Sequence, residues 1–228
     1  IQLDGSGAAS IVASNIDGDS YDNCTFSLMA GKTSFDCTNV GINTVTLTVT
    51  DASNNTDVCD ATVIVEDNIA PTAVCKDITI QLDANGASTI VAADIDGGSD
   101  DNCTFSLMAG KTSFDCTNVG INTVTLTVTD ASNNTDVCDA TVIVEDNIAP
   151  TAVCKDITIQ LDANGASTIV ATDIDGGSDD NCKFSLMAGK TSFDCTNVGI
   201  NTVTLTVTDA SNNTDVCDAT VIVEDNIA

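Results

Sequence analysis

Cys24, Cys103 and Cys182 fall 79 residues apart, and so does nearly every residue around them. Repetition at a fixed period constrains a fold more than any local propensity, because each copy has to fold as its neighbours do. Thr72 to Pro150 is one complete copy, the copy from Thr151 lacks only its closing proline, and Ile1 corresponds to Ile80. The expected domains are residues 1–71, 72–150 and 151–228, the first opening inside a strand. That opening reads as a window cut from a longer chain.

The class of the repeat follows from its periodicity. In Val124-Thr125-Leu126-Thr127-Val128-Thr129 the apolar residues share one face and the threonines the other, which is the period of a strand. Asp130 to Asn134 is turn chemistry. A second strand follows, with Cys138, Ala140, Val142 and Val144 on one face. Pro150 then ends the unit, since it lacks a donor and restricts its predecessor. Ile78-Thr79-Ile80-Gln81-Leu82 alternates as well, and Asn85-Gly86 reads as a hairpin turn leading to a returning strand from Ser88 to Ala93. Lys76 and Asp77 interrupt the pattern after Cys75, as at a bulge or a switch between sheets. Each copy is expected to be an all-β sandwich, and the series an extended rod or filament.

A sandwich of this size has a thin core. With no Trp, one Tyr and six Phe in the whole chain, that core has to be Val, Ile, Leu and Ala. Four cysteines per repeat fit an oxidising, extracellular setting in which disulfides supplement the core. Zinc is disfavoured because no close C-x-x-C pair occurs.

Cys103-Thr-Phe105-Ser-Leu107 and Thr112-Ser-Phe114-Asp-Cys116 are nearly mirror images about Ala109-Gly110. Folded as a hairpin, they set Cys103 opposite Cys116 and Phe105 opposite Phe114. The expected bridges are Cys103–Cys116 with its copies Cys24–Cys37 and Cys182–Cys195, the phenylalanines being core. For the remaining cysteines two schemes stand. In an immunoglobulin-like sandwich the first strand lies beside the last, which gives Cys75–Cys138 and Cys154–Cys217. The alternative crosses the junctions as Cys59–Cys75 and Cys138–Cys154. The within-repeat scheme is the one adopted, and loop closure sets each bridge at about 3–4.5 kcal/mol.

Several function classes are excluded or disfavoured. A net charge of −28 repels nucleic acid; it keeps a long fibre soluble and suits divalent cations. No apolar run is long enough to span a membrane. The absence of histidine removes Ser-His-Asp and Cys-His catalysis, and carboxylate-based glycoside cleavage would need an aromatic-lined cleft. No enzyme is expected.

Two kinds of site are candidates. Ca²⁺ takes about six to eight oxygens; Asp94, Asp96, Asp100 and Asp101 surround the Gly97-Gly98 bend, and Glu145 and Asp146, with Asn147, lie at the seam. Their bland reading is hydrated turns. Asn23, Asn54, Asn102, Asn133 and Asn212 each open an N-x-S/T triplet, making covalent glycans expected partners.

The set Val119-Gly120, Thr123-Val124-Thr125, Thr129-Asp130, Asn134, Cys138, Val142, Val144, Asp146, Pro150 and Cys154 resembles the hyalin-repeat (HYR) family of immunoglobulin-like modules. It covers about half of each repeat. The whole unit is similar to tandem repeats of giant surface adhesins of gliding and biofilm-forming bacteria. The resemblance implies a seven-stranded sandwich in tandem array, a cell-surface location and a role as adhesin stalk or filament; it brings no catalytic residues. Val144 to Pro150 also resembles the Asp-Asn-x-Ala-Pro linker of cadherins, which implies a rigidified seam. Partners are then neighbouring identical repeats of the same chain and laterally associated chains. The alternatives are a carbohydrate-binding accessory module of a secreted enzyme, which predicts exposed aromatics, and an ice-binding adhesin, which predicts flat threonine arrays.

Overall fold

The computed structural model describes residues 1–226. The fold is all-β: strands joined by turns, with three-residue 3-10 helices as the only helical elements among the described residues. Contacts divide the chain into two compact units, one made of Ile1–Asp77, Val91–Lys111 and Thr123–Ala140, the other of Ile78–Ile90, Thr112–Asn122 and Thr141–Ala228.

The second unit holds a complete immunoglobulin-like arrangement. Its four-stranded sheet runs Ile157–Gln160, Thr214–Glu224, Gly199–Asp209, Phe184–Ala188 in spatial order. The first strand lies parallel to the last, Ile157 against Val221, and the other pairings are antiparallel. A short facing pair joins Ala166–Thr168 to Ser192–Asp194. Between the two lie Leu161, Ile169, Ile174, Phe193, Val203, Leu205, Val207, Ala219, Val221 and Val223, all buried. The alternation in Val203-Thr-Leu205-Thr-Val207 accounts for this, because every second side chain of a strand faces the core. The unit also contains the Ile78–Gln81 strand, parallel to residues 142–145, and Ala87–Thr89 paired with Ser113–Asp115.

In the first unit Phe26–Ala30, Gly41–Asp51 and Thr56–Val65 form an antiparallel sheet, and Ala8–Ser10 pairs with Ser34–Asp36. Leu3, Ile11, Phe35, Val45, Val63 and Val65 are buried between them, with Cys37 and Cys103 packed against that core. Residues 126–130 pair with Phe105–Ala109 in the same unit, and Val124, Leu126 and Val128 have no exposed surface.

Two expected hairpins are corrected by this topology. The mirror-symmetric segment does not fold back on itself. Phe184–Ala188 stays on one sheet, where the Gly189 N–H donates to the Thr204 carbonyl at 2.8 Å, and by Thr191 the chain has reached the other, accepting from the Ile169 N–H at 2.9 Å. Palindromic spacing is satisfied equally by two strands on opposite layers, and burial of Phe193 against both sheets favours that solution. The Asn-Gly turn does form, with Gly165 donating to the Asp162 carbonyl and Asp162 to the Ala166 carbonyl, each at 2.9 Å. Its flanking strands nevertheless leave for different sheets. The interruption at Lys155 and Asp156 marks a switch: Thr151 and Cys154 bridge Asp179 and Asp175, whereas Ile157 pairs with Val221.

The bridges follow. Cys75–Cys138 and Cys154–Cys217 are bonded, each with a Cα separation of 5.8 Å. The expected hairpin bridges Cys24–Cys37, Cys103–Cys116 and Cys182–Cys195 do not form, because no hairpin opposes their cysteines. Instead Cys37 bonds Cys103 and Cys116 bonds Cys182, with Cα separations of 5.7 and 5.6 Å, each joining one sequence repeat to the next. Cys24, Cys59 and Cys195 are free thiols and exposed.

Candidate metal centre

The 37–103 bridge presses a short segment of one repeat against the end of the previous one. Asp101-Asn102-Cys103 arrives beside Gly7, whose backbone lies in the left-handed region at φ +71°. A Cβ there would lie 2.6 Å from the Asn102 carbonyl oxygen and 2.7 Å from Cys37 Sγ, so the approach requires glycine. Asn102 Nδ2 donates to the Asp4 carbonyl at 3.3 Å and to Asp67 Oδ1 at 3.2 Å.

This docking gathers three carboxylates. Asp67 follows the Thr56–Val65 strand, Asp130 ends the Gly120–Asp130 strand, and Asp101 precedes the bridge. Each offers an oxygen, all within 4.8 Å of one another. Asp67 and Asp130 are both 5% exposed. Asp130 Oδ1 also accepts from the Ser132 and Asn134 N–H groups at 2.9 and 2.8 Å, which closes the turn after its strand. Asn134 Nδ2 reaches back to the Asp67 carbonyl at 3.0 Å. Asp101 Oδ2 accepts from the Cys103 N–H at 3.2 Å. Its Oδ1, like the Oδ1 of Asn102, is buried with no hydrogen-bond partner.

The second unit repeats the arrangement with Asp146, Asp180 and Asp209. Asn181 Nδ2 donates to Asp146 Oδ1 at 3.1 Å, the Cys182 N–H to Asp180 Oδ2 at 3.1 Å and the Asn213 N–H to Asp209 Oδ1 at 2.8 Å. Asp180 Oδ1 and Asn181 Oδ1 are the orphaned oxygens.

The electrostatics of these triads are unfavourable as they stand. Two charges 4.8 Å apart repel by about 3–4 kcal/mol at an effective dielectric near 20. Desolvation raises the Asp101 carboxyl above its ordinary value; the backbone N–H groups of Cys103 and Asn102 oppose the rise, and the charges of Asp130 and Asp67 add to it. Asp180 is raised in the same way, with Asp146 and Asp209 as its neighbours. A hard divalent cation resolves both problems. Oxygen ligands about 2.4 Å from a common ion lie no more than about 4.8 Å apart, and the orphaned Asp101 oxygen gains a partner. The donor set therefore fits Ca²⁺, with Asp67, Asp101 and Asp130 holding one ion and Asp146, Asp180 and Asp209 another. The ion would neutralise the carboxylates.

Of the six carboxylates named from the sequence, Asp101 and Asp146 enter triads, and they enter different ones. The other four are placed elsewhere. The Asp94 carboxylate caps a 3-10 helix by accepting from the Val91 N–H at 2.7 Å. Asp96 Oδ1 takes Ser99 Oγ and N–H at 2.6 and 2.9 Å, an intraloop turn. Asp100 bridges Thr72 through its backbone, and Glu145 accepts from Gln81 Nε2 at 2.6 Å. Sequence reading missed Asp67, Asp130, Asp180 and Asp209. The 79-residue offset could have supplied Asp67 from Asp146 and Asp180 from Asp101; Asp130 and Asp209 were hidden as ordinary turn residues.

The glycan acceptors also separate. Asn54, Asn133 and Asn212 are exposed at turn tips with φ between +67° and +71°, and Asn23 is exposed. Asn102 is corrected: its Nδ2 is held by Asp4 and Asp67, so a glycan on that nitrogen is incompatible with the docked segment.

No protein-family model matches the chain, and no curated protein does. Among solved structures it is similar to PcdhgB3 EC1-4, at 14% identity and TM-score 0.36, over 91% of this chain and 66% of that one. A three-Ig segment of titin aligns at 9% identity and TM-score 0.41, over 95% and 87% of the two chains. Drosophila N-cadherin EC1-4 aligns at 12% identity and TM-score 0.36, over 80% and 57%. The chain thus spans just under two thirds of the first of these.

Proposed function

We propose that this chain is a structural repeat segment of an extracellular adhesin stalk or surface filament, made of immunoglobulin-like domains of the hyalin-repeat kind at 1–71, 72–150 and 151–228. The observation that carries the reading is the covalent tie between successive repeats: Cys37–Cys103 spans Pro71, and Cys116–Cys182 spans Pro150. A chain that only needed folded beads would keep its bridges inside them. Bridges across the seams instead make the connection between beads as strong as the beads, which is what a tether under load requires.

Supporting features agree. Disulfides persist in oxidising compartments, and the charge of −28 keeps a long assembly soluble. Among the described residues no helix is long and apolar enough to cross a membrane. Ca²⁺ at the two triads would lock each seam further, and glycans would decorate the exposed turns at Asn54, Asn133 and Asn212. Specific gripping belongs to other domains, the repeats supplying reach.

The test is immunogold electron microscopy of source cells with antibody against the purified chain. Label along filaments or stalks outside the envelope is the expected result; label confined to the cell interior overturns the reading. Ligand-specific adhesion by the isolated repeats would overturn the division of labour.

A further inference from the structure

The two inter-repeat joints have a third counterpart divided between the ends of the molecule. Each joint consists of a socket and a plug. In the first unit the socket is Gly7 and Cys37 and the plug is Asn102-Cys103; in the second they are Gly86 and Cys116, and Asn181-Cys182. A Cβ on Gly86 would lie 2.6 Å from both the Asn181 carbonyl oxygen and Cys116 Sγ.

The third socket, 79 residues on, is Gly165 and Cys195. It is already formed: Gly165 holds φ +70°, as Gly86 does, and its Cβ position lies 2.6 Å from Cys195 Sγ, with no plug carbonyl beside it. Cys195 is exposed where Cys37 and Cys116 are half-buried. The matching plug is Asn23-Cys24, 79 residues before Asn102-Cys103, and Cys24 is exposed where Cys103 and Cys182 are half-buried.

The surface around the plug tells the same story. In the first unit, Asn134 Nδ2 grips the Asp67 and Ile69 carbonyls, and the Asp136 carboxylate accepts from the Ala73 N–H at 2.9 Å. Their counterparts Asn55 and Asp57 are exposed and line an open hollow with Tyr21, Asp22, Phe26 and Asp51. Val49 and Asp51 are half-buried there, whereas Val128 and Asp130 are buried. The hollow has the donors and acceptors for a linker of the Asp67–Ala73 type and no such linker in it.

We propose that the Cys195 socket and the Cys24 plug are mating halves of one joint, so that a second copy of this chain docks end to end and is sealed by a Cys195–Cys24 disulfide. Docking also sets Asp225 of one copy beside Asp22 and Asp51 of the next, the counterparts of Asp67, Asp101 and Asp130, and creates a third acidic triad. Sealing proceeds by thiol–disulfide exchange with a small-molecule disulfide. The Cys195 thiolate attacks it and expels one thiolate; the Cys24 thiolate then attacks Cys195 Sγ and expels the second. Two thiols lose two electrons and two protons, and the small disulfide is reduced to two thiols.

The experiment uses the whole chain with Cys59→Ser, which removes the third free thiol. It is oxidised with glutathione disulfide in millimolar Ca²⁺ and run on a non-reducing gel, with bridged peptides mapped by mass spectrometry. A ladder of multiples joined by Cys24–Cys195 peptides is expected. Adding Cys24→Ser to one batch and Cys195→Ser to another should leave each without that joint, while mixing the two should give dimers and nothing longer. Monomer with both thiols still titratable, monomer with an internal 24–195 bond, or oligomers joined only by Cys24–Cys24 and Cys195–Cys195 peptides each overturn the proposal. None of these outcomes depends on the stalk reading.

Discussion

Cys37 and Cys103, 66 residues apart in sequence and 5.7 Å apart between Cα atoms, are covalently joined, and the joint sets Asn102 against Asp67. The same bond therefore ties one repeat to the next and builds an acidic centre, so mechanical and cation-binding roles share residues.

Calcium titration of the intact chain by isothermal calorimetry should give two ions per chain and raise the melting temperature. Asp101→Asn should remove one ion and Asp180→Asn the other, since each replaces a triad carboxylate by an amide of the same shape. Unchanged stoichiometry in either variant would dismiss the triads as the binding sites.

Without divalent ions the triads should leave a signature in pH. Asp101 and Asp180 are raised in the fold. A carboxyl held above its unfolded value binds its proton more tightly when folded, so ionising it costs stability as pH climbs above about 3.9. Asp96 and Asp175, lowered by hydrogen bonds from Ser99 and Ser178, act oppositely: their contribution is present above the unfolded value and is lost as pH falls. In chelator, the Asp101→Asn/Asp180→Asn variant should melt higher than the parent at neutral pH, with the difference shrinking on acidification. A difference that grows on acidification would contradict the assignment.

Gly86→Ala tests the close approach at a joint. Left-handed backbone and a 2.6 Å encounter with the Asn181 carbonyl and Cys116 Sγ together should cost about 2–4 kcal/mol. Denaturant midpoints would read this, and Gly177→Ala is the control, having positive φ but open space around it.

Replacing Cys116 and Cys182 together by serine should lower stability by about 4 kcal/mol, as should replacing Cys154 and Cys217, because the closed loops are of similar length. Only the first pair should also weaken Ca²⁺ binding at Asp146, Asp180 and Asp209, because only that bridge holds Asn181 and Asp180 in place. Equal loss of Ca²⁺ affinity in both would remove the coupling between bridge and triad.

In the core, Leu126→Ala should cost about 2–5 kcal/mol by chemical denaturation, since Leu126 is fully buried with no room to collapse.

Strand identity, the buried face and the punctuation between elements were legible from the residues alone. Val124, Leu126 and Val128 alternate with threonines, and a period of two admits only one buried face. The bonding of Cys75 to Cys138 likewise follows from a first strand laid parallel to the last. The tertiary structure decided which partners the ambiguous segments took. The near-palindrome from Cys103 to Cys116 suits a hairpin or two layers of a sandwich equally well, and burying Phe114 chose the layers. That choice freed Cys103 to reach Cys37 and brought Asp101 to Asp67 and Asp130, residues that no local pattern relates. Periodicity is a property of neighbours along the chain, whereas a joint between copies depends on which surfaces remain once each copy has closed its own core.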